Sequence, residues 1–268
     1  GLGVTFPILI LISAFAFIVG AGGAPRAAIA LGRKDHEEAE RILGNSTALL
    51  LIFSLILTAI FYFSKDFILL KFGASAKTLP YASDYISIYL IGTIFVQLSL
   101  GLNMFITSQG FTKISMATVC IGALLNIVLD PIFIFGLDMG VKGAALATII
   151  SQAVSAIWVL AFLLGKKTIL KLKRKNLRLS SKIVGSIISL GISPFIMQST
   201  ECLIQLTFNK GMLKYGGDMY VALMSILFSL TQVIWLPMQG FSQGAQPIIS
   251  YNYGAKNIKR VKDTFKLL

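Results

Sequence analysis

Residues 126–135 read NIVLDPIFIF, an apolar run interrupted by an amide, a carboxylate and a proline. Asn126 and Asp130 are four residues apart, so on a helix they share a face. Pro131 has no N–H to give the carbonyl of Ile127, and its ring crowds that oxygen, so the carbonyl is freed on a kinked helix. Within one turn this offers an amide, a carboxylate and a carbonyl, all hard oxygen donors. Such a set suits Na⁺ or, at the carboxylate, a proton. Thr148, in the next apolar run, is placed to add a hydroxyl. The competing reading leaves Asp130 at the outer end of its run and facing water, because Gly136, Asp138 and Gly140 soon follow.

Of eleven acidic residues, Glu201 is the other one inside an apolar run. Gln198 lies three residues before it and Gln205 four after, giving one polar stripe on a helix face. That stripe predicts a cavity wall or a helix contact; cation binding, substrate binding and pure packing all remain open for it. The sole histidine, His36, sits among Arg33, Lys34, Asp35, Glu37, Glu38, Glu40 and Arg41, which read as a charged amphipathic surface helix. Cys120 and Cys202 lie in apolar runs and read as small buried hydrophobes, with no disulfide or metal pattern. No Ser–His–Asp set, zinc spacing or phosphate-cradling loop is present, so the sequence does not read as an enzyme or as one needing a cofactor.

The elements that must hold these side chains are apolar. Hydrophobic residues make up 56% of 268, charged residues 13%, and the mean hydropathy is +0.81. Soluble domains carry about 25% charged residues, so the chain reads as an all-α polytopic membrane protein. Seven apolar runs lie near 4–24, 43–63, 82–107, 114–136, 141–165, 183–209 and 219–250. Each is long enough for a spanning helix and lacks the alternation of a barrel strand. The first run reads as a spanning helix rather than a signal peptide. The net charge of +13 suggests topology rather than nucleic acid. Basic residues gather in alternate loops, 25–42, 166–182 (KKTILKLKRKNLRLSSK) and 254–268, which the positive-inside rule places in the cytoplasm. The 166–182 loop reads first as a topology determinant and linker, and second as a headgroup-binding run.

An internal repeat joins the two ends of the chain. Residues 22–34 read GGAPRAAIALGRK and 244–256 read GAQPIISYNYGAK. With a shift of about 222, Gly22, Pro25, Gly32 and Lys34 meet Gly244, Pro247, Gly254 and Lys256, and glycine and proline are the residues that set backbone shape. An even number of runs separates the copies, so they share one orientation and form a parallel repeat.

Three stretches, 22–45, 126–152 and 237–256 (PMQGFSQGAQPIISYNYGAK), resemble the multidrug and toxic compound extrusion (MATE) family, DinF-like branch. The resemblance covers essentially the whole chain. It implies a two-lobed bundle of six-helix repeats, of which this sequence would hold helices two to eight: an N-lobe over 1–165, a linker over 166–182 and the start of a C-lobe over 183–268. It also implies that Asn126, Asp130 and Thr148 match an N-lobe cation site, with Tyr85 as a further member, whose remaining aspartate lies on a first helix outside this sequence. Glu201 does not closely fit the carboxylate pattern of the other branch, and Thr107 stands where many members have arginine. Expected from the resemblance are export of organic cations in exchange for H⁺ or Na⁺ by alternating access, a multi-pass protein of the plasma (inner) membrane, and a monomer when full length. The alternative is a lipid-linked oligosaccharide flippase of the same superfamily. That function calls for several basic residues inside the spans, and the sequence places none there.

Overall fold

The structure is a computed structural model that describes residues 5–72, 74 and 78–268, with some side chains between 202 and 232, including those of Cys202 and Gln205, outside the described set. Among the described residues eight α-helices follow one another: α1 (Phe6–Gly32), α2 (His36–Lys71), α3 (Leu79–Ile91), α4 (Thr93–Ser108), α5 (Thr112–Pro131), α6 (Gly140–Leu164), α7 (Ser181–Gly254) and α8 (Ile258–Leu267). A π-helical turn, Ile132–Gly136, extends α5 past Pro131, and a 3₁₀ turn, Arg174–Leu177, lies between α6 and α7. Among the described residues, five helices are long and apolar enough to cross a membrane, or six if the bent pair α3–α4 counts as one span. A backbone in lipid must satisfy its own polar groups, which helices do. On α5, Met116, Val119, Leu124, Ile127 and Val128 are exposed and apolar.

Several expected boundaries move. The loop expected over 25–42 shrinks to Arg33–Asp35, because α1 runs through Pro25 and α2 starts at His36. Arg26 therefore lies inside a helix, with its Nε buried and unpartnered, contrary to the expectation of no basic residue within a span. The run 82–107 is broken at Gly92, where α3 and α4 meet at 57°; a Cβ there would sit 2.5 Å from the Ile149 side chain of α6. Cys120 is exposed rather than buried.

The two runs 183–209 and 219–250 form one helical segment, α7, with no intervening loop. It cannot be straight. Phe195 packs edge-on against Phe15, and Tyr251 packs against Gly32. Those points on α1 are about 25 Å apart, whereas a straight helix from 195 to 251 would span about 84 Å. The segment therefore folds back between them, so both of its ends lie along α1.

The expected repeat is visible bond for bond where α1 and α7 end. Arg33 N–H donates to Ile29, Lys34 to Leu31 and Asp35 to Ala30; Ala255 donates to Tyr251, Lys256 to Tyr253 and Asn257 to Asn252. Lys34 and Lys256 both take positive φ, 64° and 59°. Asp35 then caps α2 by accepting from Glu38 N–H, and Asn257 caps α8 by accepting from Arg260 N–H. Each end is a Schellman turn followed by an N-capped helix, which reverses the chain in three residues. The outer residues of the repeat diverge: a Cβ on Gly22 would meet the Ile187 carbonyl at 2.1 Å, whereas Gly244 faces open space. Pro25 and Pro247 both lie within helices.

Two apolar clusters hold α1–α6 together. One, around Leu43, Leu50, Leu102, Phe105 and Leu163, also takes in Leu170 and Ile187. The other, around Ile8, Ile12, Leu69, Ile86 and Leu90, lies toward the α3 end. The basic segment between α6 and α7 is not a free linker. Thr168 and Leu170 are buried while Lys167, Ile169 and Lys171 face outward, the alternation of an extended strap. Gln109 Oε1 accepts from Thr168 Oγ1 at 2.8 Å and from the N–H groups of Ile169 and Leu170 at 2.9 Å each. Further along, Asn45 accepts from Ser180 N–H at 2.7 Å and donates to the Asn176 carbonyl at 3.2 Å. Lys173 pairs with the buried Glu40 at 2.5 Å.

Candidate functional site: a polar core between α3, α4, α5 and α6

Polar residues on three of these helices recur at one-turn spacing. Thr118, Gly122, Asn126 and Asp130 run along α5, Ser99 and Asn103 along α4, and Thr148, Ser151, Gln152 and Ser155 along α6. Spacings of three and four put each set on one helix face. The packing of α5 on α6 and of both on α4 brings the three stripes together, where they line an open cleft of about 230 Å³.

At one end of this core Asn126 Nδ2 donates to Asp130 Oδ1 at 3.3 Å. Asp130 is half-buried, so neither a fully wet outer end nor a sealed interior describes it. Thr148 donates to the Ala144 carbonyl at 2.9 Å and so turns oxygen lone pairs to its surroundings. The Tyr85 side chain lies beside Thr148 and within electrostatic reach of Asp130. Tyr85 stacks on Tyr89 with centroids 6.1 Å apart and planes 15° from parallel, and both rings are buried. Three helices thus bring Tyr85, Asn126, Asp130 and Thr148 together. The cluster holds one carboxylate, an amide oxygen and two hydroxyls, a set that neutralises a small monovalent cation or takes up a proton at Asp130.

The second predicted stripe is not part of this cluster. Gln198 is half-buried and Glu201 exposed on α7, and the side chain of Gln205 lies outside the described residues. Conversely, Ser99, Asn103, Ser151 and Gln152 were not singled out from sequence. The signal for them is present in the one-turn spacing, but neutral polar residues in an apolar run draw less notice than a carboxylate. Among the described residues no group of three His, Cys, Asp or Glu side chains is placed to hold a metal ion.

These features define an all-helical, multi-pass membrane protein with a polar core inside its helices. A family model described as MatE matches residues 1–132 and 194–267, and the chain belongs to that family. It is 33% identical over 267 residues to the multidrug export protein MepA of Staphylococcus haemolyticus, an alignment covering 100% of this chain and 59% of that protein. MepA of Staphylococcus saprophyticus is 30% identical, with the same coverage. Among solved structures, the MATE multidrug transporter DinF-BH superimposes with a TM-score of 0.91 at 36% identity, over 98% of this chain and 59% of that one. A MOP superfamily transporter from Pyrococcus furiosus gives 0.89 at 26% identity, over 98% and 59%. The chain thus spans about three-fifths of the length of the relatives it matches.

Proposed function

We propose that the full-length protein exports organic cations in exchange for inward movement of H⁺ or Na⁺, and that Asp130 carries the coupling charge. The observation that supports this best is the Asp130 cluster: one half-buried carboxylate hydrogen-bonded to Asn126, with Thr148 and Tyr85 beside it. An ionised carboxylate within a spanning helix is costly unless it is paired or neutralised. Binding Na⁺ or H⁺ there removes the cost and favours whichever helix arrangement closes around the neutral site. A ligand shifts such an equilibrium only through its different affinity for the two states.

On this reading 1–165 forms an N-lobe and 183–268 begins a C-lobe. The Arg33–Asp35 turn, the 166–180 strap and α8 face the cytoplasm of a plasma-membrane protein. The protein acts without a cofactor, and as a monomer. Aromatic side chains suit flat cations through their ring faces. The relatives' names speak of multidrug export, which agrees with this reading. The flippase alternative has less support: among the described residues no basic side chain lines the polar cleft, whereas an anionic lipid-linked substrate calls for several.

The test is ethidium efflux from cells expressing the full-length gene, with Asp130→Asn compared with wild type under separate Na⁺ and pH gradients. Efflux should collapse in the variant under the gradient that drives the wild type. Undiminished efflux would refute the coupling role.

A further inference from the structure

The strap between α6 and α7 has no part in the antiport scheme, yet it is the most basic stretch of the chain. Residues 166–182 carry eight Lys and Arg, and no Asp or Glu occurs from 139 to 200. We propose that the strap, with the first turn of α7, is a docking surface for anionic phospholipid headgroups of the cytoplasmic leaflet. The proposal rests on the topology given above and is independent of Asp130.

The charges are uncompensated. Lys173 is held by Glu40, and among the described residues none of the other seven has an ion-pair partner. The turn at Arg33–Asp35 and the start of α2, against which the strap packs, are different. There Arg33, Lys34 and Arg41 stand among Asp35, Glu37, Glu38 and Glu40. A topology signal accounts for a basic loop, but such a signal needs no fixed geometry, and the strap has one.

Gln109 and Asn45 hold its backbone, so the outward side chains are presented in a set order. Lys167, Ile169 and Lys171 alternate with the buried Thr168 and Leu170, which puts neighbours on the outer face about 6.6 Å apart. Ile169 is 46% exposed between its two lysines, and Leu179 is 48% exposed beside Arg178. An apolar side chain set among cations offers nothing to a free phosphate, but it suits the acyl boundary just below a headgroup.

The position fits as well. The strap leaves one apolar helix long enough to span at Leu164 and enters another at Ser181. Lys166 and Lys167 at one flank, and Arg178 and Lys182 at the other, therefore lie close to the hydrocarbon boundary. At the second flank α7 begins with Ser181 exposed, no side-chain cap from Ser180 and no acid in its first turn. The partial positive charge of that helix end adds to Arg178 and Lys182. A basic residue near an anionic surface favours binding by about fivefold. Because the strap is already ordered, docking costs side-chain freedom and little backbone order.

The test is native mass spectrometry of the purified full-length transporter titrated with dioleoyl phosphatidylglycerol or dioleoyl phosphatidylcholine. Wild type should bind the anionic lipid at least about tenfold more tightly than the zwitterionic one. Lys167→Gln, Lys171→Gln, Arg178→Gln and Lys182→Gln together should remove at least about tenfold of that affinity. Removing the same number of charges from α8, by Lys259→Gln, Arg260→Gln, Lys262→Gln and Lys266→Gln, should leave it within about twofold. The charge-preserving set Lys167→Arg, Lys171→Arg, Arg178→Lys and Lys182→Arg should bind as wild type does, which separates lost charge from lost fold. Unchanged binding by the strap variant overturns the proposal, and so does an equal loss in the α8 variant, because preference then follows net charge alone. Failure of the charge-preserving set overturns it too. Displacement of the lipid by inorganic phosphate, but not by chloride at matched ionic strength, means a small-anion site and overturns the lipid assignment. None of these readouts uses transport, so the coupling role of Asp130 stands or falls separately.

Discussion

Gly32 and Gly254 each lie against the backbone of the other's helix: a Cβ on Gly32 would sit 2.0 Å from the Tyr251 carbonyl oxygen, and one on Gly254 2.1 Å from that of Ile29. The four residues are related by the repeat, 29 to 251 and 32 to 254, so the contact is a local two-fold between the ends of α1 and α7. Only glycine permits backbones this close. A second reciprocal pair, Gly22 on Ile187 and Gly191 on Ile18, packs the other leg of α7 on α1.

Gly254→Ala should therefore push the two helix ends apart. The obstacle is backbone, which cannot swing away like a side chain, so a loss of about 1–3 kcal/mol is expected. Thermal unfolding of the full-length protein checks it. A cysteine at position 29 should also become more reactive to a cytoplasmic, membrane-impermeant thiol reagent in this background. An unchanged melting temperature with unchanged labelling would mean the contact is not formed.

Lys34 and Lys256 adopt the left-handed conformation at the two Schellman turns. A side chain there costs about 1 kcal/mol relative to glycine. Lys256→Gly should raise stability by about that amount, read as a higher melting temperature, and Lys34→Gly should do the same independently. The two gains should not simply add, because the two turns pack on each other through Gly32 and Gly254.

Gln109 holds the 166–180 strap with one carbonyl oxygen accepting three hydrogen bonds. In Gln109→Leu the N–H groups of Ile169 and Leu170 lose their partner. The cost should be about 2 kcal/mol, felt locally. Amide hydrogen exchange should rise by at least about tenfold at 169 and 170 while the α1–α2 turn stays protected. Unchanged exchange at 169 and 170 would show that the strap is held by its apolar residues alone.

The sequence was most legible where a single residue type is costly. Asp130 in an apolar run marked a candidate polar site, and the glycines and lysines repeated at a fixed shift marked a repeat whose matching turns the backbone displays. It was least legible where tertiary packing decides. At the break, Gly92 packs so closely on Ile149, of a helix far away in sequence, that a side chain there would clash. The strap reads as a charged loop because its anchors, Gln109 and Asn45, are themselves ordinary polar residues elsewhere in the chain. The extent of α1 was missed because Pro25 and the charges after it look like a helix end, whereas packing against α7 carries the helix through to Gly32. Neutral polar stripes such as Ser99 and Asn103 emerge once three helices are seen to face one another.

The central claim is that Asp130 couples cation entry to export. Its most direct measurement is gradient-driven uptake of a fluorescent organic cation into proteoliposomes holding the full-length transporter oriented inside out, with Na⁺ and proton gradients imposed in turn. Wild type should accumulate the dye under at least one gradient. Asp130→Asn should lose that accumulation by at least about tenfold, as expected when a charged ligand is removed, while remaining folded by thermal melt. Equal accumulation by the folded Asp130→Asn variant would contradict the account.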